Sequence, residues 1–235
     1  MGNEILKIIK GGLIVSCQAL EEEPLHSSYI MQRMAVAAMQ GGAVGIRANT
    51  VEDIRAIREE VSLPIIGIIK KVYPDSEVFI TPTMEEVDAL TRAKAEIVAL
   101  DSTQRTRPGG KTLEEFFGEV REKYPNQLFM ADCSTFEEGM KAAELGFDII
   151  GTTLHGYTSY TKQTKLPNIG LIRSLVEKTG KPVVAEGGIW TPQQLKEAMD
   201  AGVLAAVVGT AITRPREITQ RFVSTLGMSG IPDDM

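Results

Sequence analysis

Short apolar runs recur along the chain, and an amphipathic stretch follows each of them. Eight runs are nearly continuous Val, Ile, Leu or Ala, which is typical of parallel strands covered on both faces. The runs lie at 12–16, 43–46, 64–69, 96–100, 127–131, 147–150, 182–185 and 205–208. We therefore predict eight buried strands in alternation with helices.

The stretches between the runs have the three-and-four spacing of apolar residues that indicates helices. They cover 27–40, 50–60, 84–93, 112–123, 135–145, 169–179 and 191–199. Several begin with a Thr or Ser that is followed by acidic residues, as in Thr50 with Glu52 and Asp53. Such residues cap the first turn and complement the helix dipole, so they predict where the helices begin.

Eight strand-helix units in 235 residues average about 29 residues each, which matches a compact α/β fold of the (β/α)₈ TIM-barrel type. Length alone also allows two small domains, but no Pro/Gly/Ser-rich linker divides the chain, so we expect a single domain over 1–235. A doubly wound open sheet is the alternative; it usually has fewer strands, and no GxGxxG follows the first run. Residues 3–10 are expected to form a short helix that closes the bottom of the barrel, and 227–235 a flexible tail.

Composition narrows the functional class. The chain is 43% hydrophobic and 24% charged with a net charge of −6, which argues against nucleic-acid and membrane-surface roles. No apolar run approaches the roughly 18 residues of a membrane span or forms the core of a signal peptide. Two cysteines exclude a disulfide framework. We expect a cytoplasmic protein.

Polar residues follow the apolar runs, at the end of a barrel where enzymes of this fold carry their active sites. One polar residue at a strand end is ordinary, whereas seven or eight that converge favour an active site on the C-terminal face. They are Ser16-Cys17-Gln18, Arg47, Lys70, Asp101, Asp132, Thr152-Thr153, Glu186 and Gly209-Thr210.

The last two strand ends carry a phosphate-binding pattern. Gly187 and Gly188 follow strand seven, and Gly209 and Thr210 follow strand eight, with Arg214 four residues on. Barrels often hold a phosphate between these loops on backbone N–H groups, which glycines leave accessible. The alternative is that the glycines only make tight turns.

Lys70 is the candidate base or nucleophile. An ammonium group at the mouth of an apolar barrel is expected to have a lowered pKa. Strand alternation points one of Lys70 and Lys71 inward, and we favour Lys70, the first residue after the apolar run. The alternative is a surface lysine that extends to solvent. Glu186, on the opposite side of the barrel, suits a second acid/base group that stays partly protonated.

Other polar residues leave alternatives open. His155 lies in a loop long enough to fold over a ligand, or is exposed to solvent. The roles of Arg105 and Arg107 are open as well. His26 and His155 are far apart and have no carboxylate at metal-ligand spacing, so no metal site is expected. No Gly-x-Ser-x-Gly supports serine hydrolysis.

The chain closely resembles the N-acetylmannosamine-6-phosphate 2-epimerases of bacterial amino-sugar and sialic acid catabolism, from about residue 12 to residue 223. Other phosphate-binding barrels share the glycine loops but not the whole set of matching segments. These segments are 16–20, 41–48, 66–71, 130–132, 150–158, 185–187 and 211–215.

The resemblance implies residue roles. Lys70 is then the catalytic acid/base, with Glu186 assisting it. The implied sugar-binding residues are Gln18, Arg47 and Asp132, to which we add Thr153 and Tyr157 as candidates. The implied phosphate-binding residues are Gly187, Gly188, Gly209, Thr210 and Arg214. Family members vary just after the first glycine of the strand-seven loop, where this chain has Gly188. They often carry Gly or Ser in place of Thr210, and the backbone donor is kept with any of these residues.

The implied reaction interconverts N-acetylmannosamine 6-phosphate and N-acetylglucosamine 6-phosphate by removal and return of the C2 proton. It needs no metal or other cofactor, and its partner is a small amino-sugar phosphate. A homodimer is expected. The alternatives are a Schiff-base aldolase that also uses a strand-end lysine, and a sugar-phosphate-binding barrel without catalysis. A metal-dependent pentose-phosphate epimerase is disfavoured because histidine ligands are missing.

Overall fold

The eight apolar runs form eight parallel strands that pair in chain order and close into a barrel. The computed structural model describes residues 2–227. The strands are Leu13–Cys17 (β1), Gly45–Asn49 (β2), Ile65–Ile68 (β3), Ile97–Asp101 (β4), Leu128–Asp132 (β5), Ile149–Gly151 (β6), Val183–Glu186 (β7) and Ala205–Val208 (β8). The predicted (β/α)₈ TIM-barrel fold is confirmed.

Helices follow the strands around the outside of the barrel. They are Gly2–Ile9 (α1), Ser28–Gln40 (α2), Val51–Glu60 (α3), Met84–Arg92 (α4), Leu113–Lys123 (α5), Phe136–Leu145 (α6), Ile169–Lys178 (α7), Pro192–Asp200 (α8), Thr210–Thr213 (α9) and Pro215–Ser224 (α10). Four helices begin with a full capping box, in which a Thr side chain and a Glu or Gln three residues later exchange backbone hydrogen bonds. The first residues of three predicted helices, Thr112, Thr135 and Thr191, are therefore the N-cap residues of α5, α6 and α8.

Several strands extend past their apolar runs into the polar residues that follow. Asp101, Asp132 and Glu186 are the last residues of β4, β5 and β7, and β2 continues beyond Arg47 to Asn49. The sequence pattern placed the strand ends before these residues because it equates a strand with its apolar residues. In the barrel the polar side chains keep strand geometry, since the partner strand supplies their backbone hydrogen bonds.

Two layers of apolar side chains stabilise the barrel. Inward-facing residues such as Ile14, Ile66 and Met130 fill the interior, and α1 packs against the same cluster. Outward-facing residues such as Ile46 and Phe129 pack under the helices. Because α1 covers one end of the interior, the opposite end, where the strands finish, is the one left for a site.

The expected flexible tail falls outside the described residues except for Gly227. Within residues 2–227 no helix is both long enough and apolar enough to cross a membrane.

The connection from β3 to α4 folds back along the end of β3. The N–H of Lys71 donates to the carbonyl of Phe79 at 2.9 Å, and the N–H of Thr81 donates to the carbonyl of Ile69 at 2.7 Å. On the β4 side of this connection, the N–H of Asp101 donates to the carbonyl of Ile80 at 3.0 Å. Residues 79–82, which we term the return segment, thus separate the end of β3 from β4.

Arg107 holds the return segment in place. Its side chain is buried, and Nε donates to the carbonyl of Pro82 at 2.9 Å while Nη2 donates to that of Thr81 at 2.8 Å. Nη1 donates to the carbonyl of Asp101, and the guanidinium lies 4.0 Å from the ring centre of Phe116. Arg107 therefore has a structural role, and its charge is matched by carbonyl dipoles and an aromatic face.

We predict that Arg107→Met destabilises the fold. Three buried carbonyl oxygens would lose a charged donor, so the free energy of unfolding should fall by roughly 3 kcal/mol. Urea denaturation followed by circular dichroism measures the change. The exposed Arg33→Met serves as a control that should stay within about 0.5 kcal/mol of the wild type. Equal midpoints for the two variants would contradict the assigned role.

Candidate active site

A cavity of about 240 Å³ opens at the C-terminal ends of the strands. Eleven of the twelve residues predicted for the site line it. These eleven are Gln18, Arg47, Lys70, Thr153, Tyr157, Glu186, Gly187, Gly188, Gly209, Thr210 and Arg214. The twelfth, Asp132, lies beneath the cavity.

Strand alternation separates Lys70 from Lys71. Lys70 continues the inward-facing positions of Ile66 and Ile68 and lines the cavity. The side chain of Lys71 is 43% exposed and pairs with Glu85 and Glu86 outside the barrel. Only one of the two adjacent lysines is therefore placed to act on a ligand in the cavity.

The electrostatic environment of Lys70 favours the free amine. Burial in the barrel mouth, followed by the positive charges of Arg214 and Arg47, lowers the pKa of Lys70 from its ordinary value to about 8. The carboxylates of Glu186 and Glu23 act in the opposite direction and are outweighed. A lysine with this pKa is partly present as the free amine near neutral pH and is suited to proton abstraction.

Arg47 and Asp132 form a bidentate pair under the cavity floor. Nη1 and Nη2 of Arg47 donate to the two oxygens of Asp132 at 3.2 and 2.6 Å. Asp132 is fully buried and does not line the cavity. The contact of Asp132 with the sugar stays a prediction; in this structure its oxygens accept from Arg47 and Thr153. Through the bidentate pair Asp132 orients Arg47.

Thr153 links two carboxylates through one hydroxyl group. Its Oγ1 lies 2.6 Å from Asp132 Oδ1 and 3.0 Å from Glu186 Oε2. A hydroxyl has one hydrogen, so both contacts are satisfied together when a proton on Glu186 supplies the second hydrogen bond. Burial, and to a lesser extent the Asp132 carboxylate, raises the pKa of Glu186 against the lowering effect of Arg47, which lies 3.2 Å away. Glu186 is therefore the group in this network suited to carry and release a proton.

The glycines of the strand-seven loop have a conformation that other residues rarely adopt. Gly187 and Gly188 have φ values of +108° and +69°. A Cβ atom on Gly188 would lie 2.2 Å from the Cβ of Leu166, in the loop after β6. Glycine is thus required here by backbone conformation and by close packing, and it leaves the backbone open to the cavity.

Arg214 joins the two loops that border the cavity near β1 and β8. Its Nη2 lies 2.8 Å from Oε1 of Glu23, in the connection from β1 to α2. The Arg214 side chain is 26% exposed, so it is accessible to a ligand in the cavity.

Two buried polar atoms lack a partner within residues 2–227, and both belong to cavity-lining residues. They are Oε1 of Gln18 and Nε of Arg47. The amide nitrogen of Gln18 is occupied by a 2.7 Å hydrogen bond to Ser16 Oγ. A buried acceptor or donor without a partner costs about 1–3 kcal/mol, and a ligand group that bonds to it removes this cost.

The cavity also includes residues that the sequence did not single out. Phe79 and Ile80 reach it from the return segment, Leu154 from the loop after β6, and Trp190 from the loop after β7. The guanidinium of Arg221, in α10, lies over the ring of Trp190, 4.7 Å from its centre. All four residues lie in loops, where no periodic pattern of apolar residues indicates their position.

The remaining open residues have structural roles. His155 is buried, with Nδ1 2.6 Å from the carbonyl of Ser134 and Nε2 3.0 Å from the side-chain nitrogen of Asn168. Arg105 pairs with Asp101 at 2.7 Å, and neither of these two residues lines the cavity. Across residues 2–227 no three His, Cys, Asp or Glu side chains are grouped as a metal site would require.

Comparisons with known proteins identify the family of the chain. Residues 31–228 match a family model described as "Putative N-acetylmannosamine-6-phosphate epimerase". A relative from Caldanaerobacter subterraneus subsp. tengcongensis with the corresponding 2-epimerase description is 56% identical over 95% of this chain and 94% of its own. Another, from Enterobacter sp. (strain 638), is 54% identical over 94% and 95%.

A solved structure gives the same result in three dimensions. It is that of the N-acetylmannosamine-6-phosphate 2-epimerase from Clostridium perfringens, with a TM-score of 0.90 at 53% identity. The match covers 94% of this chain and 96% of that chain. The chain therefore belongs to the N-acetylmannosamine-6-phosphate epimerase family.

Proposed function

We propose that this protein is an isomerase that interconverts N-acetylmannosamine 6-phosphate and N-acetylglucosamine 6-phosphate. The observation that carries the proposal is Lys70, a lysine of lowered pKa that shares one cavity with the Arg47–Glu186 network and the two glycine loops. The names of the relatives, N-acetylmannosamine-6-phosphate 2-epimerases, describe the same substrate and a reaction at C2.

Epimerisation at C2 needs a base and a group that stabilises negative charge on the neighbouring oxygen. The C2 proton of the closed sugar ring is not acidic, whereas in the open-chain aldehyde it lies next to a carbonyl. Its removal produces an enolate, whose developing negative charge must be stabilised where it forms. Return of a proton to the other face of C2 gives the epimer.

The cavity offers one group for each requirement. Lys70, as the free amine, takes the C2 proton and returns it. Glu186, whose pKa is raised, supplies a proton to the oxygen that becomes negative and takes that proton back when C2 is reprotonated. The guanidinium of Arg47, fixed by Asp132, lies beside Glu186 and stabilises the same charge.

The phosphate is an anchor remote from C2. The loops with Gly187, Gly188, Gly209 and Thr210 supply backbone donors, and Arg214 supplies a positive charge. Binding energy gained at the phosphate is then available to hold C2 against Lys70. Gln18 and Tyr157 complete the lining around the sugar, where the unpaired Gln18 Oε1 suits an N–H or O–H of the ligand.

The central prediction separates chemistry from binding. Lys70→Ala should abolish exchange of the C2 hydrogen with deuterium from solvent, because the base is gone, and it should leave substrate affinity within a few-fold of wild type. Proton NMR in D₂O measures exchange. The fluorescence of Trp190, the one tryptophan of the chain, measures binding at the cavity wall.

Two variants serve as controls. Lys71→Ala, outside the barrel, should exchange at the wild-type rate. Arg214→Gln should weaken binding about tenfold or more, as loss of a charge-assisted hydrogen bond to phosphate implies. Retained exchange in Lys70→Ala, or trapping of the substrate on Lys70 by borohydride as in a Schiff-base aldolase, would refute the assignment.

The pKa of Lys70 sets the pH dependence. Only the free amine accepts a proton, so kcat/KM should rise with pH and level off above about 8. Glu23→Gln should move this rise to lower pH, because the negative charge of Glu23 raises the pKa of Lys70 and its removal lowers it. Initial rates between pH 6 and about 10 test both points. A rise centred near 10.5, the ordinary value for lysine, would contradict the proposed environment.

We also propose a homodimer. Phe222 on α10 and Leu226 just after it are each 72% exposed, and Ile212 of α9 is 46% exposed. Exposed apolar side chains favour contact with a second copy, and two-fold dimers are the commonest oligomers. Sedimentation equilibrium should give twice 25.6 kDa, and Phe222→Glu should weaken the association. A monomeric wild type at tens of micromolar would overturn the proposal.

The proposed setting is the cytoplasm, in the breakdown of amino sugars. Cys17 and Cys133 are both free and buried, which suits a reducing compartment. Burial raises the pKa of Cys17 to about 12, so it is protected as an unreactive thiol.

A further inference from the structure

The β2–β3 ladder ends just before Lys70. Asn49 is the partner of Ile68, and the N–H of Thr50 donates to the carbonyl of Ile68 at 3.0 Å. In a continued parallel ladder the N–H of Lys70 would donate to the carbonyl of Thr50. That carbonyl is instead used by α3, where it accepts from the N–H of Ile54 at 3.3 Å.

The chain leaves the strand at Thr50 for a local reason. Thr50 has a φ of +68° and caps α3, with its side chain accepting from the N–H of Asp53. Because α3 starts at this turn, the carbonyl of Thr50 is no longer available as an acceptor for the N–H of Lys70.

Asn49 supplies that acceptor from its side chain. Its Oδ1 accepts the N–H of Lys70 at 2.9 Å, and the residue is 3% exposed. A side-chain amide oxygen thus takes the place of the missing carbonyl of Thr50. The hydrogen-bonded ladder between β2 and β3 is thereby extended by one bond, which ends at Lys70, the residue whose side chain lines the cavity.

The opposite edge of the same backbone is held by the return segment. The N–H of Ile69 donates to Thr81 Oγ1 at 3.3 Å, and the carbonyl of Ile69 accepts from the N–H of Thr81. The N–H of Lys71 donates to Phe79. Arg107 fixes the return segment on this edge, and the hydrogen bond that the Lys70 N–H donates to Asn49 fixes the backbone of Lys70 on the β2 side.

We propose that Asn49 is a positioning residue for the proton transfer carried out by Lys70. The hydrogen bond between Asn49 Oδ1 and the Lys70 N–H fixes the peptide plane at Lys70, and so the direction in which its side chain leaves the rim. Proton transfer to and from carbon depends steeply on this direction, and a misplacement of about 1 Å costs on the order of a hundredfold in rate. The inference rests on the proposed role of Lys70.

The test compares two substitutions at this position. Asn49→Ala removes the acceptor, and kcat should fall ten- to about a hundredfold while KM and the affinity measured by Trp190 fluorescence change less than about twofold. Asn49→Asp keeps an acceptor oxygen. It should retain a kcat within about threefold of wild type at high pH, with the rise in rate displaced to higher pH because a nearby carboxylate raises the pKa of Lys70.

A matched control accounts for lost stability. Gln32→Ala also removes a buried side-chain hydrogen bond to backbone, from Gln32 Nε2 to the carbonyl of Ala56 at 2.8 Å, between α2 and α3. It should lower Tm by an amount similar to that of Asn49→Ala and leave kcat unchanged. The comparison separates positioning from general destabilisation.

Amide hydrogen exchange measured by NMR gives a readout that needs no activity. Exchange at the Lys70 amide should be at least tenfold faster in Asn49→Ala, and near the wild-type rate in Asn49→Asp and Gln32→Ala. If the wild type exchanges no C2 hydrogen, the proposed function fails, and the Lys70 amide still shows whether Asn49 holds it.

Three results would overturn the inference. The first is a kcat for Asn49→Ala that matches Gln32→Ala, and the second is an unchanged Lys70 amide exchange rate in Asn49→Ala. The third is a loss of kcat at every pH in Asn49→Asp. This last result decides the question even if Asn49→Ala does not fold.

Discussion

In a closed barrel of parallel strands every second side chain points into the interior, and the whole site depends on this alternation. Ile66 and Ile68 fill the core, and two residues further on the same row becomes Lys70. In β5 the inward-facing positions likewise change from apolar Met130 to polar Asp132. One geometric rule therefore selects which polar residues meet at the mouth, and it excludes their neighbours, of which Lys71 is the plainest case.

Charge is distributed within the mouth so that one cation stays unpaired. Arg47 is matched by Asp132 and Glu186, and Arg214 by Glu23. Lys70 lies among them without an ion pair in the described part of the chain, and burial and the two guanidinium groups lower its pKa. A net charge of −6 for the whole chain is compatible with this arrangement because the field at Lys70 is set within one cavity.

Much of this architecture was predictable because it depends on local patterns. Eight apolar runs became eight strands, and the Thr residues before the helices became caps. How deep each polar side chain lies below the cavity was not predictable. Asp132 and Arg47 stand at equivalent strand ends in the sequence, yet only Arg47 lines the cavity, since Asp132 is covered by the guanidinium that it binds. A pattern along the chain contains no information on which of two converging side chains lies above the other.

The sequence by itself determined the barrel, the rim that carries the site and the choice of Lys70, since each follows from periodicity of two or from the order of elements. The tertiary structure alone decided what holds that rim in place. The hydrogen bond from the Lys70 N–H to Asn49 joins residues 21 positions apart, and those from Arg107 to the return segment span 25 and 26 positions. Such contacts depend on how strand ends and loops are brought together in space, and no local preference of the residues involved specifies them.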